Sequence, residues 1–147
     1  MQELFRLGTS RWVRWGLVLA WMALIFVLSA QPTLVRHPDS VADIVLKKLG
    51  HVAEYGVLAL LVWWALHDPL APVEWRSLWL SFAVAVLYAA GDEWHQTWVP
   101  GRNGNVYDWT VDLAGAGIAL VGLRIVLLRW GRQDPDGNLD MVTKSRP

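Results

Sequence analysis

The chain has 147 residues, room for one domain, with 54% apolar and 18% charged residues and a mean hydropathy of +0.30. A soluble domain carries about a quarter charged residues, so an ordinary water-soluble fold is excluded. Thirteen basic against thirteen acidic residues leave no net field for nucleic acid, and the lack of cysteine removes disulfides, thiolate metal sites and cysteine nucleophiles.

Four apolar stretches follow in chain order, at 15–30, 52–66, 78–90 and 111–128. Each extends through semi-polar flanks toward the roughly 20 residues that cross a bilayer as a helix. The fold expected is all-α, an integral membrane bundle of about four transmembrane helices. Residues 1–14 read as a cytoplasmic N-terminal segment, 15–130 as the four-helix transmembrane domain, and 131–147 as a polar, disordered cytoplasmic tail. The first stretch, with Arg6, Arg11 and Arg14 ahead of it, has some features of a cleavable signal, but Leu28 is a poor residue three before a cut after Ala30.

Orientation follows from the basic residues of the short loops, which favour the cytoplasmic side. With the N-terminus inside, Arg6, Arg11, Arg14, Arg76, Arg129, Arg132, Lys144 and Arg146 are cytoplasmic, against Arg36, Lys47, Lys48 and Arg102 outside. Both termini are therefore expected to be cytoplasmic, in a protein integral to the cytoplasmic membrane. Indole suits the boundary between lipid and water, so the eleven tryptophans should mark membrane edges. Trp12, Trp15, Trp63, Trp64, Trp75, Trp79 and Trp130 fall near inner helix ends, and Trp94, Trp98 and Trp109 near outer ones. His67 to Pro72 forms the inner turn, which two prolines keep from being helical.

Ionisable groups are costly inside a bilayer and gather around interiors or watery cavities. Here Lys47, His51 and Glu54 share one face at the start of the second helix, with Tyr55 beside them. Asp92, His95 and Gln96 share a face near the end of the third helix, with Glu93 pointing elsewhere. Arg102 lies in the glycine-bearing loop that follows, and Asp108 and Asp112 open the fourth helix. In the topology above all of these reach the outer end, which predicts one extracytoplasmic polar site. Small residues of the fourth helix, Gly115 and Ala119, suit close helix packing or a homo-oligomer contact.

Two chemical uses fit the cluster. In the first, His51, Glu54, Asp92 and His95 bind a divalent metal, since His-x-x-Glu and Asp-x-x-His each place two ligands one helical turn apart. In the second, the same four residues act catalytically as acids and bases. Lys47, Tyr55, Glu93, Gln96, Arg102, Asp108 and Asp112 then contact substrate, with Arg102 gripping a phosphate.

Several segments together carry a resemblance: Phe26-Val27-Leu28-Ser29-Ala30-Gln31-Pro32, Lys48-Leu49-Gly50-His51-Val52-Ala53-Glu54-Tyr55, Asp92-Glu93-Trp94-His95-Gln96, Pro100-Gly101-Arg102, and Asp108 to Gly115. In this order they resemble VanZ-like membrane proteins over about residues 15–128. The resemblance maps the family's characteristic polar positions onto His51, Glu54, Tyr55, Asp92, Glu93, His95, Gln96, Gly101, Arg102 and Asp108. Asp112 departs from it, standing where many relatives show an asparagine-containing pattern. The resemblance implies a small integral membrane protein linked to teicoplanin resistance, with a lipid-linked envelope precursor or a glycopeptide as partner beside the lipid bilayer. Three functions remain open: chemistry on a lipid headgroup or envelope precursor, non-catalytic binding or shielding, and proton- or ion-coupled transport.

Overall fold

The computed structural model describes residues 10–31, 40–67, 74–102 and 104–132, without the side chains at 43 and 130–132. The tail from 133 onward, most of the N-terminal segment and most of the inner turn lie outside the described residues. Four helices follow one another: α1 Arg11–Ser29, α2 Val41–Leu66, α3 Trp75–Gln96 and α4 Val106–Arg132. They alternate in direction. The start of α1 meets the end of α2 through Arg14 and Trp64, and the ends of α1 and α3 meet through Ser29 and Asp92.

Each helix is longer than its apolar stretch. The largest extension is in α2, where no breaker separates Val41 from Lys47 and the Ile44 N–H closes the first turn on the Ser40 carbonyl at 3.1 Å. This helix therefore starts about 15 Å before His51, and its first turns overhang the end of the bundle.

Arg11–Ser29, Ile44–Leu66 and Val106–Arg129 are long and apolar enough to cross a membrane. Trp75–Gln96 matches them in length, and its lower hydropathy comes from inward polar residues. Ser81, Asp92, Glu93 and Gln96 are buried in the bundle, whereas Trp79, Leu80, Leu87 and Trp94 face outward. A helix with an apolar outside and a polar inside suits a lipid surround. The same holds around the bundle, where Leu19, Val27, Ile118 and Val121 are all exposed.

The apolar core centres on α2, whose Tyr55, Leu58, Ala59, Val62 and Ala65 recur at three- and four-residue spacing against Ile25, Ala85, Ala116 and Leu120. Without a hydrophobic driving force between helices in lipid, close packing and interhelical hydrogen bonds must hold them together. Both are present. A Cβ placed on Gly115 would lie 2.5 Å from the Val52 carbonyl oxygen, and one on Gly56 would lie 3.3 Å from the Gly115 oxygen, so α2 and α4 meet backbone to backbone. The glycine face of α4 that suits self-association is thus occupied at Gly115 by α2.

Aromatic side chains supply the hydrogen bonds. Trp21 Nε1 donates to the Glu54 carbonyl at 2.9 Å, Tyr88 Oη to Met22 at 2.5 Å, and Trp109 Nε1 to Val86 at 3.3 Å. Trp109, expected as an interface marker, turns inward to make its bond, whereas Trp12, Trp75, Trp79, Trp94 and Trp98 are exposed near helix ends. Arg14, one of the presumed topology signals, is buried and caps α2 by donating to the carbonyls of Trp64 and His67. Arg124, deep in α4, reaches the ring of Trp75.

Candidate functional site

The helix crossing between α2 and α4 positions the first pair. One turn above Gly115 stands Asp112, and His51 precedes Gly56 on α2, so backbone contact brings the two side chains together. His51 Nδ1 lies 2.9 Å from Asp112 Oδ1, with Asp112 fully buried.

The loop after α3 places the next group. Val99-Pro100-Gly101-Arg102 forms a type II turn, with Gly101 at φ 77° and the Arg102 N–H donating to the Val99 carbonyl at 3.1 Å. Proline presets the second position and glycine accepts the left-handed third. Gly104 then lies so close to the Glu93 carbonyl that a Cβ there would overlap it. Asn105 caps α4, accepting the Asp108 N–H at 2.9 Å, while its own N–H donates to Glu93 Oε2 at 2.8 Å. Lys48 forms an ion pair with Asp108 and lies over the ring of Tyr107.

Arg102 returns across the bundle. Its Nε donates to the Gln31 carbonyl at 3.1 Å, one terminal nitrogen to Leu28 at 3.1 Å, and the other to Gln96 Oε1 at 3.4 Å. The guanidinium therefore caps the C-terminal end of α1 and ties it to the loop. Three of its five N–H donors are used, so a phosphate would share the fork with the protein. Lysine cannot bridge these carbonyls with a planar fork. Arg102→Lys is expected to destabilise the protein by about 1–2 kcal/mol. Hydrogen exchange should show faster amides at the end of α1, with Arg129→Lys, on an exposed side chain, unchanged.

Asp92 anchors the interior. It accepts from the Ser29 hydroxyl at 2.5 Å and from Gln96 Nε2 at 2.9 Å, and the buried Tyr55 brings its hydroxyl up to the same carboxylate.

These groups surround a cavity of ≈ 490 Å³ at the end of the bundle, lined by Leu28, Ser29, Ile44, Lys47, Lys48, Gly50, His51, Glu54, Asp92, Gln96, Gly101, Arg102 and Asp108. The overhang of α2 supplies one wall through Ile44, Lys47 and Lys48. Glu54 is half-buried here, and its carboxylate makes no hydrogen bond or ion pair with another described residue. Beneath the site the core is apolar, with Leu58, Val62, Ala85 and Leu120 closing the floor of the bundle. A second cavity, between α3 and α4, is walled by Trp79, Phe82, Leu120 and Val121 and offers only Arg124 as a charge.

Of the residues singled out in the sequence, Lys47, His51, Glu54, Asp92, Gln96, Arg102 and Asp108 line the cavity. Tyr55 and Asp112 stand behind that lining. His95 is separate: its ring lies against Phe26 with centroids 4.3 Å apart and the planes tilted by 31°, between α3 and α1. Glu93 does not point away from the cluster, because α3 is enclosed on both flanks and turns Asp92 and Glu93 to adjacent inner faces. Lys48, counted among the loop charges from sequence, is also a lining residue, and its spacing of three from His51 and seven from Tyr55 places it on their helical face.

The family model described as VanZ/LLP1 matches residues 14–128, a stretch that includes every lining residue of the polar cavity. No curated protein and no solved structure matches the chain.

Proposed function

The chain belongs to the VanZ/LLP1 family, and from that premise we propose that its polar cavity takes the anionic headgroup of a membrane-resident molecule, a lipid or a lipid-linked cell-envelope precursor, and acts on it. The observation that carries this reading is the Glu54 carboxylate, which no described residue hydrogen-bonds or ion-pairs, in a cavity that also holds Lys47, Lys48 and Arg102. Phosphate chemistry needs cations to hold the anion and a carboxylate or imidazole within reach to move a proton. Glu54 is assigned the proton transfer, with His51 beside it in the cavity lining. Leu28 and Ile44 give the cavity an apolar edge for the first carbons of a lipid tail.

In this reading the cavity opens on the extracytoplasmic side and both termini are cytoplasmic, as the basic residues predict. That is the side on which teicoplanin meets lipid-linked wall precursors, so a contribution to glycopeptide resistance belongs to the proposal. The apolar core under the cavity favours binding or chemistry over transport, since a proton or ion path would need polar groups at depth.

The test compares membrane lipids and lipid-linked precursors by mass spectrometry in cells making equal amounts of the wild-type protein or Glu54→Gln. A species altered by the wild type alone is expected. Identical profiles, with the variant folded and inserted, would remove the chemical step and leave headgroup binding or shielding as the function.

A further inference from the structure

Behind the cavity wall, on the side of α3 turned from Asp92, three potential ligands converge from three helices. His51, Glu93 and Asp112 each present one ligand atom, and these atoms lie within 4.8 Å of one another. Two features separate this group from a chance acidic cluster. Glu93 and Asp112 are 7% and 1% exposed, and each keeps one buried carboxylate oxygen, Oε1 and Oδ2, without a hydrogen-bond partner among the described residues. Unpaired buried carboxylate oxygens are costly, and two such carboxylates grouped with one histidine call for a positive ligand.

We propose that His51, Glu93 and Asp112 form a site for a divalent first-row cation of the zinc or manganese kind. Imidazole nitrogen with two carboxylates is a donor set such ions accept. The two carboxylates supply two negative charges against the two positive charges of the ion, so the assembly is neutral where the dielectric is low. Neighbouring ligands on one ion with bonds of about 2.1 Å lie about 3 Å apart, and the 2.9 Å between His51 Nδ1 and Asp112 Oδ1 suits such an edge. With the ion bound, those atoms become adjacent ligands rather than a donor and an acceptor.

The surroundings hold the donors in place. The Asn105 N–H fixes Glu93 through Oε2 and leaves Oε1 for the ion, while the Gly56–Gly115 crossing sets the separation of His51 from Asp112. Three protein ligands leave coordination positions for water or for a headgroup oxygen, and His51 reaches the cavity. The set differs from the one the sequence suggested: Asp92 is taken by Ser29 and Gln96, and His95 lies against Phe26.

The experiment uses the full chain in lipid nanodiscs, freed of any polyhistidine tag and stripped with chelator, and titrates it with Zn²⁺ alone. Because the chain has no cysteine, no thiolate competes for the ion. One zinc per chain is expected, with affinity at least about tenfold weaker in Asp112→Asn and in Glu93→Gln and unchanged in Glu74→Gln, an exposed carboxylate at the far end of α3. A second measurement guards against misfolded variants. Mn²⁺ bound to the wild-type chain should show histidine-nitrogen coupling by pulsed electron paramagnetic resonance, and His51→Gln should remove it. Absence of binding by folded wild-type protein at millimolar zinc would overturn the proposal, as would equal binding by folded Asp112→Asn and Glu93→Gln. The titration reads zinc and not lipid conversion, with the same nanodisc lipid for every variant, so its result stands apart from the headgroup reading, which the lipid comparison with Glu54→Gln tests.

Discussion

Gly115→Leu is expected to prevent α2 and α4 from docking, and Gly115→Ala to cost about 2–3 kcal/mol. The reason is that the obstacle is backbone. An added Cβ would meet the oxygen, Cα and carbonyl carbon of Val52 at 2.5, 2.8 and 3.0 Å, and none of these can rotate aside. The helices must separate or slide, and either movement acts one turn away on the 2.9 Å contact between Asp112 and His51. The alanine variant should therefore lose stability and site geometry together. Gly122→Ala is the control, because nothing lies within 4 Å of a Cβ there. Replacing that helical glycine should be neutral or stabilising by up to about 1 kcal/mol. Unfolding in detergent titrations, read by tryptophan fluorescence, separates the cases. Equal midpoints for Gly115→Ala and Gly122→Ala would show that the α2–α4 contact is not the tight one.

The architecture was legible because membrane helices announce themselves through composition: four apolar runs, tryptophans at several ends and charges grouped near one end. What escaped was the direction of individual side chains. Spacing placed Asp92, His95 and Gln96 on one helical face, and that face is real for Asp92 and Gln96, which are hydrogen-bonded. But α3 packs against three neighbours, so a single-face description assigns Glu93 to the outside when it is enclosed between α2 and the loop before α4. His95, on the same arc as Asp92, meets the ring of Phe26 instead of the cavity. Periodicity orders residues around one helix. Which arcs are covered depends on the neighbours, and those lie elsewhere in the sequence.

The arginines show the same difficulty in another form. Arg14 as a topology signal and Arg102 as an anion grip are each treated as a charge. The structure uses each also as a rigid multiple donor. At one end of the bundle Arg14 collects the carbonyls of Trp64 and His67, and at the other Arg102 collects those of Leu28 and Gln31. Helix C-termini leave carbonyls without partners, and near a membrane the supply of water to satisfy them falls. A guanidinium from a neighbouring segment answers that need and ties two elements together. No local pattern marks it, because donor and acceptor are separated by 50 residues in one case and 74 in the other.

Asp92 is where structural and chemical roles meet, and two substitutions separate them. Asp92→Leu is expected to cost about 3 kcal/mol, since it strands the buried donors of Ser29 and Gln96 and brings an alkyl group against the Tyr55 hydroxyl. Activity should disappear with the fold. Asp92→Asn is expected to keep stability within about 1 kcal/mol of the wild type. The oxygen of the introduced amide can accept from Gln96. Its nitrogen can donate to the Ser29 oxygen, because that hydroxyl can direct its proton to the Phe26 carbonyl, 3.1 Å away. Only the negative charge is lost, from a cavity that also holds Lys47, Lys48 and Arg102. A folded Asp92→Asn protein that no longer alters membrane lipids would place the Asp92 charge in the chemistry. A folded and fully active one would make Asp92 a tie between α1 and α3, and would leave proton transfer to Glu54.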